Sequence, residues 1–193
     1  MLLATLAAGV VYRRWHLTWG ATAAEASGPM PADDLLPGAA FVATRAIDVA
    51  AAPDQVWGWL VQVGHGRAGF YSYDRVDNGG VPSATTILPQ FQSPSVGDLA
   101  APMTAGTDER TSFRVAEVVP SSQLVWSKPD STWAWLLVPQ PDGGTRLLTR
   151  LKTRYRADRW LPVTVLLMEV GDFPMMRRML LGIRQRAEAA ANA

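Results

Sequence analysis

With 193 residues, 48% of them hydrophobic, the chain is long enough to bury a substantial core as one ordinary domain with an N-terminal extension. A formal net charge of +1 provides no bulk field for nucleic acid, and the lack of cysteine excludes disulfides, thiolate metal sites and cysteine nucleophiles. His16 and His65 are too few and too far apart to suggest a metal site, and no motif asks for a cofactor.

Residues 1–12 carry no charge and run into Arg13-Arg14. A spanning helix needs about 20 apolar residues, so this segment is too short to cross a bilayer alone, and it lacks the positive start of a secretory signal. Three readings stay open for residues 1–18: the end of a membrane anchor, an interfacial anchor, or an apolar helix docked on the domain. As an anchor, Arg13 and Arg14 would keep the domain on the cytoplasmic side. A cytoplasmic protein, with or without membrane association, is the expectation.

Thr22 and Glu25 fit a capping box, in which hydroxyl and carboxylate satisfy free N–H groups at a helix start. Gly28, Pro29, Pro31, Pro37 and Gly38 stop that helix early. Residues 19–40 therefore read as a short capped helix and, from residue 27, a linker lying over the domain.

The main domain is expected over residues 41–188, followed by a tail at 189–193. Phe41–Val49 is rich in β-branched and apolar residues and reads as a strand. Pro53 suits the first position of a helix and Asp54 its dipole. Val56, Trp59, Leu60 and Val63 then define one buried face, with Gly64 as the expected C-cap. Gly64–Gly80 reads as an irregular loop, and Ser83–Ala101 as loop with room for a short strand.

Thr111–Val119, Gln123–Ser127, Thr132–Pro139 and Thr145–Arg156 are four further strand candidates separated by Pro-, Asp- and Gly-containing turns, which implies an antiparallel meander. The last of them alternates. Thr145, Leu147, Thr149, Leu151, Thr153 and Tyr155 share one face, expected inward, while Arg146, Leu148, Arg150, Lys152, Arg154 and Arg156 share the other, expected toward solvent. Trp160–Glu188 is helical, with Leu161, Val165, Met168, Met175, Met179 and Ile183 on its apolar stripe. Gly171 and Pro174 should kink or break it.

Thr44–Val49 followed by Ala52-Pro-Asp-Gln-Val-Trp57 resembles the first strand and helix of the START and pollen-allergen-like helix-grip superfamily, also called SRPBCC. Trp19–Thr22, Gly66–Asp74, Val96–Asp98, Gly144–Leu147 and Arg178–Ile183 are similar to an uncharacterised bacterial branch of it, related to polyketide cyclase/dehydrase-like proteins. The resemblance covers roughly residues 19–188. It implies an α+β helix-grip fold, a curved antiparallel sheet wrapped around a long C-terminal helix with an apolar cavity between them. Members bind lipids, sterols, polyketides or plant hormones, and some cyclise or dehydrate polyketides. No catalytic motif of the superfamily carries over to particular residues of this chain.

Several groups invite a chemical reading. Gly64–Gly69 lacks the Gly-Lys-Ser/Thr ending of a phosphate loop and follows a helix, so it reads as a turn carrying Phe70, Tyr71 and Tyr73 to a cavity mouth. Tyr71, Tyr73, Asp74 and His65 would serve acid–base chemistry there, or would pack, with Asp74 capping the backbone or pairing with Arg67. Glu169 and Asp172 share roughly one helical face: on a cavity wall a carboxylate there would titrate high, and elsewhere it would be a solvent group or a salt-bridge partner of Arg67 or the strand arginines. Met168, Met175, Met176 and Met179, with Trp126, Trp133, Trp135 and Tyr155, are core, cavity wall, or both. The basic stripe Arg146, Arg150, Lys152, Arg154 and Arg156 would meet anionic lipid headgroups together with residues 1–14, or would be a charged face that suppresses edge pairing.

The sequence-based expectation is a small hydrophobic or amphipathic ligand, without cofactor or metal, bound by Trp133, Trp135, Thr149, Thr153, Met168, Asp172 and Met175, with Tyr71 and Tyr73 at the mouth. Choosing Trp133 and Trp135 places the odd positions of that strand inward. Two alternatives stay open: a cyclase or dehydratase using Tyr71, Tyr73 or Asp172 for proton transfer, and a partner-binding module with a filled interior.

Overall fold

The computed structural model describes residues 2–100 and 112–192, with side chains from residue 8 onward. Helix α1 spans Leu2–Leu17 and α2 Ala23–Ser27; the elements of the main domain then follow as β1 (Phe41–Val49), α3 (Pro53–Val61), α4 (Asp74–Asp77), β2 (Leu99–Ala100), β3 (Phe113–Val119), β4 (Gln123–Lys128), β5 (Ser131–Pro139) and β6 (Thr145–Thr153). The C-terminal helix begins as α5 (Leu161–Leu166), widens into a π-helical turn at Leu167–Gly171, and continues as α6 (Asp172–Ala191). One open, antiparallel sheet of six strands in the order β1-β6-β5-β4-β3-β2 wraps around α6. This is the helix-grip arrangement, α+β in class.

Period-two patterning decides which side chains meet the helix. Phe41, Ala43, Arg45, Ile47 and Val49 share the inner face of β1, and the register pairs Arg45 with Thr149 and Ile47 with Leu147 of β6. Trp133 and Trp135 of β5 lie opposite Leu151 and Thr149, so the odd positions of both strands face inward as expected. Against them pack Met176, Met179, Leu180, Ile183 and Ala187 of α6, together with the buried face of α3: Val56, Trp59 and Leu60. Trp126, Trp133 and Trp135 are edge-on or tilted neighbours with ring centroids 5.2–5.7 Å apart.

The capping box forms: Glu25 N donates to Thr22 Oγ1 and Thr22 N to Glu25 Oε2. The following linker lies over the sheet's outer face, where Met30 packs with Ala46, Val125, Ala134 and Leu148. That placement corrects the expectation of a solvent-facing basic stripe for Arg146, Arg150 and Lys152, while Arg154 and Arg156 are exposed as expected. Arg146 donates to Glu25, Asp48 and the Gly20 carbonyl. Arg150, 5% exposed, donates to Asp33, Thr44 and the carbonyls of Glu25, Ala26 and Gly28. Lys152 bonds the Asp33 carbonyl, and Arg154 that of Pro37. A guanidinium carries five donors in a fixed fork, and the linker delivers the acceptors they need.

Three boundaries differ from expectation. Gly64 does not cap α3, which ends at Val61; instead it exchanges two 3.0 Å backbone hydrogen bonds with Gly69 and closes a small loop. The last strand stops at Thr153 rather than Arg156, because Thr153 pairs with Phe41 at the very start of β1 and the next N–H bonds the Asp130 carbonyl. Tyr155 therefore lies beyond the strand. Finally, Gly171 and Pro174 do not break the helix. Proline has no N–H to give to the carbonyl four residues back, and the wider π turn just before it, closed by Asp172 N to Leu167 O, absorbs the mismatch. Of the segment read as strand from Thr111, that first residue lies outside the described residues, as does Ala101 of the preceding loop and Ala193 of the tail.

Candidate functional site

Between the sheet and the C-terminal helix lies a cavity of about 630 Å³. Thr164, Leu167, Met168, Gly171, Asp172 and Met175 fall on one helical stripe and form one wall. Phe113, Trp133, Leu151 and Thr153 form the sheet wall, while Phe70, Ser72, Val76 and Asp77 close the side formed by α4 and the loop before it. Met176 and Met179 contribute as well. The polar lining comprises Ser72 and Thr164, Ser131 and Thr153, whose hydroxyls are 3.2 Å apart, the ion pair Lys128–Asp130, the cations Arg154 and Arg156, and Asp77, Asp158 and Asp172.

Asp172 is a cavity-lining carboxylate with a buried cation beside it. Its side chain is 10% exposed and one oxygen accepts a 2.6 Å hydrogen bond from Nη1 of Arg45, which is 1% exposed. Burial pushes the carboxyl above the usual aspartate range, and the adjacent guanidinium opposes that shift without cancelling it. Arg45 Nε donates to the His16 carbonyl at 2.8 Å, which ties the end of α1 to this corner. Arg45 Nη2 and His16 Nδ1 are buried without a hydrogen-bond partner among the described residues. Both lie next to Phe173, which the Arg45 guanidinium approaches to 5.4 Å.

Glu169 points the other way. It accepts two bonds from Arg13, at 2.8 and 2.9 Å, and one from the Tyr155 hydroxyl at 3.3 Å. The Arg13 hydrogen bonds hold its carboxyl below the usual range, whereas burial, helped by Glu169, pushes Tyr155 up to about 12. Glu169 thus clamps α1 to the C-terminal helix and does not line the cavity.

Of the residues expected to meet a ligand, Trp133, Thr153, Met168, Asp172 and Met175 all line the cavity. Trp135 is fully buried and Thr149 nearly so; neither lines it. Thr149 Oγ1 accepts from Trp133 Nε1 at 2.9 Å and donates to the Ala134 carbonyl at 3.1 Å, so it positions that indole. Tyr71 is not at the mouth. It is 4% exposed, its hydroxyl donates to the Trp59 carbonyl and accepts from Gln62, and burial pushes it up to about 12. Tyr73 is exposed, beneath the Arg178 guanidinium at 4.8 Å, and does not line the cavity. Asp74 accepts from Ser83 N and Oγ rather than pairing with Arg67, which is spent on the carbonyls of Val61 and Leu99.

Arg45 was not among the sequence candidates, yet a signal exists. It is the one charged residue at the odd, inward positions of Phe41–Val49, where a buried cation demands a carboxylate partner. Among the described residues, no group of three or more His, Asp or Glu side chains is placed to hold a metal ion.

No family model matches this chain, and no curated protein does. Among solved structures it is similar to protein MLL2253 from Mesorhizobium loti, at 15% identity and a TM-score of 0.43 over 77% of this chain and 98% of that one. It is also similar to the Polyketide_cyc-like protein Cgl2372 from Corynebacterium glutamicum, at 17% identity and a TM-score of 0.41 over 77% and 92% of the two chains. A protein from Nitrosospira multiformis matches at 10% identity with a TM-score of 0.48, over 79% of this chain and all of its own.

Proposed function

We propose that this helix-grip protein binds one small hydrophobic or amphipathic molecule, of lipid, polyketide or isoprenoid type, in the cavity between sheet and C-terminal helix. The cavity itself carries the reading: about 630 Å³, within the usual range for small-molecule sites, with aromatic, leucine and methionine side chains on its helix and sheet walls. Apolar burial would supply affinity at about 25 cal/mol per Å², before ordering costs. Met168, Met175, Met176 and Met179 suit a ligand wall, since unbranched thioethers repack around varied shapes. Asp172, Ser131 and Thr153 are among the polar groups that would set orientation.

Native mass spectrometry of protein purified from its own host, followed by denaturing extraction, tests this. A stoichiometric apolar species supports it. A clean apo mass, with no thermal shift across a lipid and polyketide panel, overturns it.

One observation favours a second reading, a cyclase or dehydratase-type enzyme. Asp172 presents a carboxyl of raised pKa to an apolar cavity, a setting in which proton transfer to or from a bound carbonyl compound is feasible. Asp172→Asn, whose amide oxygen can still accept from Arg45, would then abolish turnover of the extracted compound class in protein shown to be folded by near-ultraviolet circular dichroism; a plain binding protein would show only a graded change in affinity.

A further inference from the structure

The stretch of C-terminal helix beside the cavity is apolar on two faces. One stripe lines the cavity; the other, Val163, Leu166 and Val170, is 47–62% exposed, with Leu167 at the boundary between them 60% exposed and Trp160 just before the helix 54% exposed. Spacings of three and four put these side chains on one face. A face of four aliphatic residues and a tryptophan turned to solvent is far from an ordinary scattering of surface apolar groups.

The patch does not end with that helix. The two bonds between Arg13 and Glu169 and the edge contact of Trp15 with Phe173, centroids 4.9 Å apart, hold α1 beside it. There Val10, Val11 and Trp15 are 60%, 67% and 50% exposed. Among the described residues, no helix is long and apolar enough to cross a membrane.

Cations frame the same region. Arg14, Arg154, Arg156 and Arg159 are exposed, with Arg159 over the Trp160 ring at 5.3 Å. Arg154, Arg156, Trp160 and Leu167 also line the cavity, and so does the exposed Asp158, so a net basic, apolar rim forms the cavity's own mouth.

We infer that this face docks on the surface of an anionic phospholipid bilayer, with the aliphatic stripe and both tryptophans in the interfacial layer and the arginines among the headgroups. Exposed tryptophan beside arginine suits that boundary, where one end of a side chain is apolar and the other wet. A basic rim around an apolar centre matches an acidic lipid surface in charge as well as polarity. The alternative occupant, a second copy of this chain, would set the arginine rim against a like-charged rim. The inference does not depend on what the cavity holds. It replaces the outer sheet face as the lipid contact, because Arg146, Arg150 and Lys152 are already engaged there by the linker.

Co-sedimentation of the full chain with vesicles of phosphatidylcholine alone, and with phosphatidylglycerol mixed in, reads the docking directly. Binding to the mixed vesicles is expected, falling as salt rises. Leu166→Gln/Val170→Gln should lower partition roughly ten-fold or more. Arg14→Gln/Arg159→Gln should remove roughly ten-fold or more of the preference for acidic lipid and leave the neutral-vesicle signal unchanged. Neither pair lines the cavity, and near-ultraviolet circular dichroism checks that each variant is folded. Failure of the wild-type chain to sediment with mixed vesicles would overturn the inference. So would sedimentation that the Leu166/Val170 variant retains in full. A concentration-dependent dimer that the same variant abolishes, without vesicle binding, would assign the face to self-association instead.

Discussion

Arg45 and Asp172, 127 residues apart in sequence, join β1 to the start of α6 through a 2.6 Å hydrogen bond between nearly solvent-free groups. The pair sits where the sheet's inner face, the cavity wall and the end of α1 converge. Removing two such charges from water is expensive, so the pair is stabilising only relative to its own half-broken forms.

From this follows a non-additive double-mutant cycle. Asp172→Ala should cost about 3–5 kcal/mol because it leaves a buried guanidinium uncompensated. Arg45→Met/Asp172→Leu should recover most of that loss. Urea denaturation measures all three, and strictly additive effects would refute the coupling.

Acid should loosen the linker before the core. Two hydrogen bonds from Arg146, against the opposing effect of burial, lower the Glu25 carboxyl from 4.5 to about 2. A folded value below the unfolded one means the stabilisation is present above pH 4.5 and is lost as pH falls toward 2. It amounts to no more than about 3.5 kcal/mol, and less after solvent screening. Melting temperatures taken across that window should fall more steeply for the wild-type chain than for Glu25→Gln.

Gly182→Ala offers a clean contest between helix propensity and packing. Propensity alone favours alanine by about 1 kcal/mol. However, a Cβ at this position would lie 2.7 Å from the Tyr71 Cβ, on a backbone held at φ +55°. A net loss of about 1–3 kcal/mol is expected from such overpacking. A melting temperature equal to or above wild type would show that the contact yields.

Met168→Trp and Thr149→Val should separate cavity from scaffold. The first narrows the cavity at a partly exposed position, and should lower ligand occupancy with little change in stability. The second removes the Trp133 Nε1 partner from the interior and should cost about 1–3 kcal/mol of stability. Thermal melts with native mass spectrometry on both proteins measure the two effects; a ligand loss confined to Thr149→Val would reverse the assignment.

Much of the fold is local and therefore legible. The strand at Phe41–Val49, the capping box at Thr22 and Glu25, the meander and the inward odd positions of β5 and β6 all follow from periodicity, turn chemistry and caps. These depend on residues a few positions apart, which is the range a sequence pattern reports. The methionine stripe could be placed on the cavity side for the same reason, because the helical period carries it to the face that meets the sheet; that period also groups Glu169 with Asp172, and only Asp172 lines the cavity.

What only the tertiary structure decided are the matches between distant residues. Arg146, Arg150 and Lys152 carry the alternation of an exposed face, yet their acceptors arrive from residues 20–33, more than a hundred positions earlier. Tyr71 belongs to a loop that reads as a mouth, yet its hydroxyl is claimed by Gln62 and Trp59 on α3 and just beyond its end. Arg45 sits in a strand whose pattern demands an apolar residue, and only the approach of α6 explains its charge. A periodic pattern says which side chains share a face; the partners that cover that face come from chain closure, which brings together groups whose spacing in sequence carries no mark of their contact.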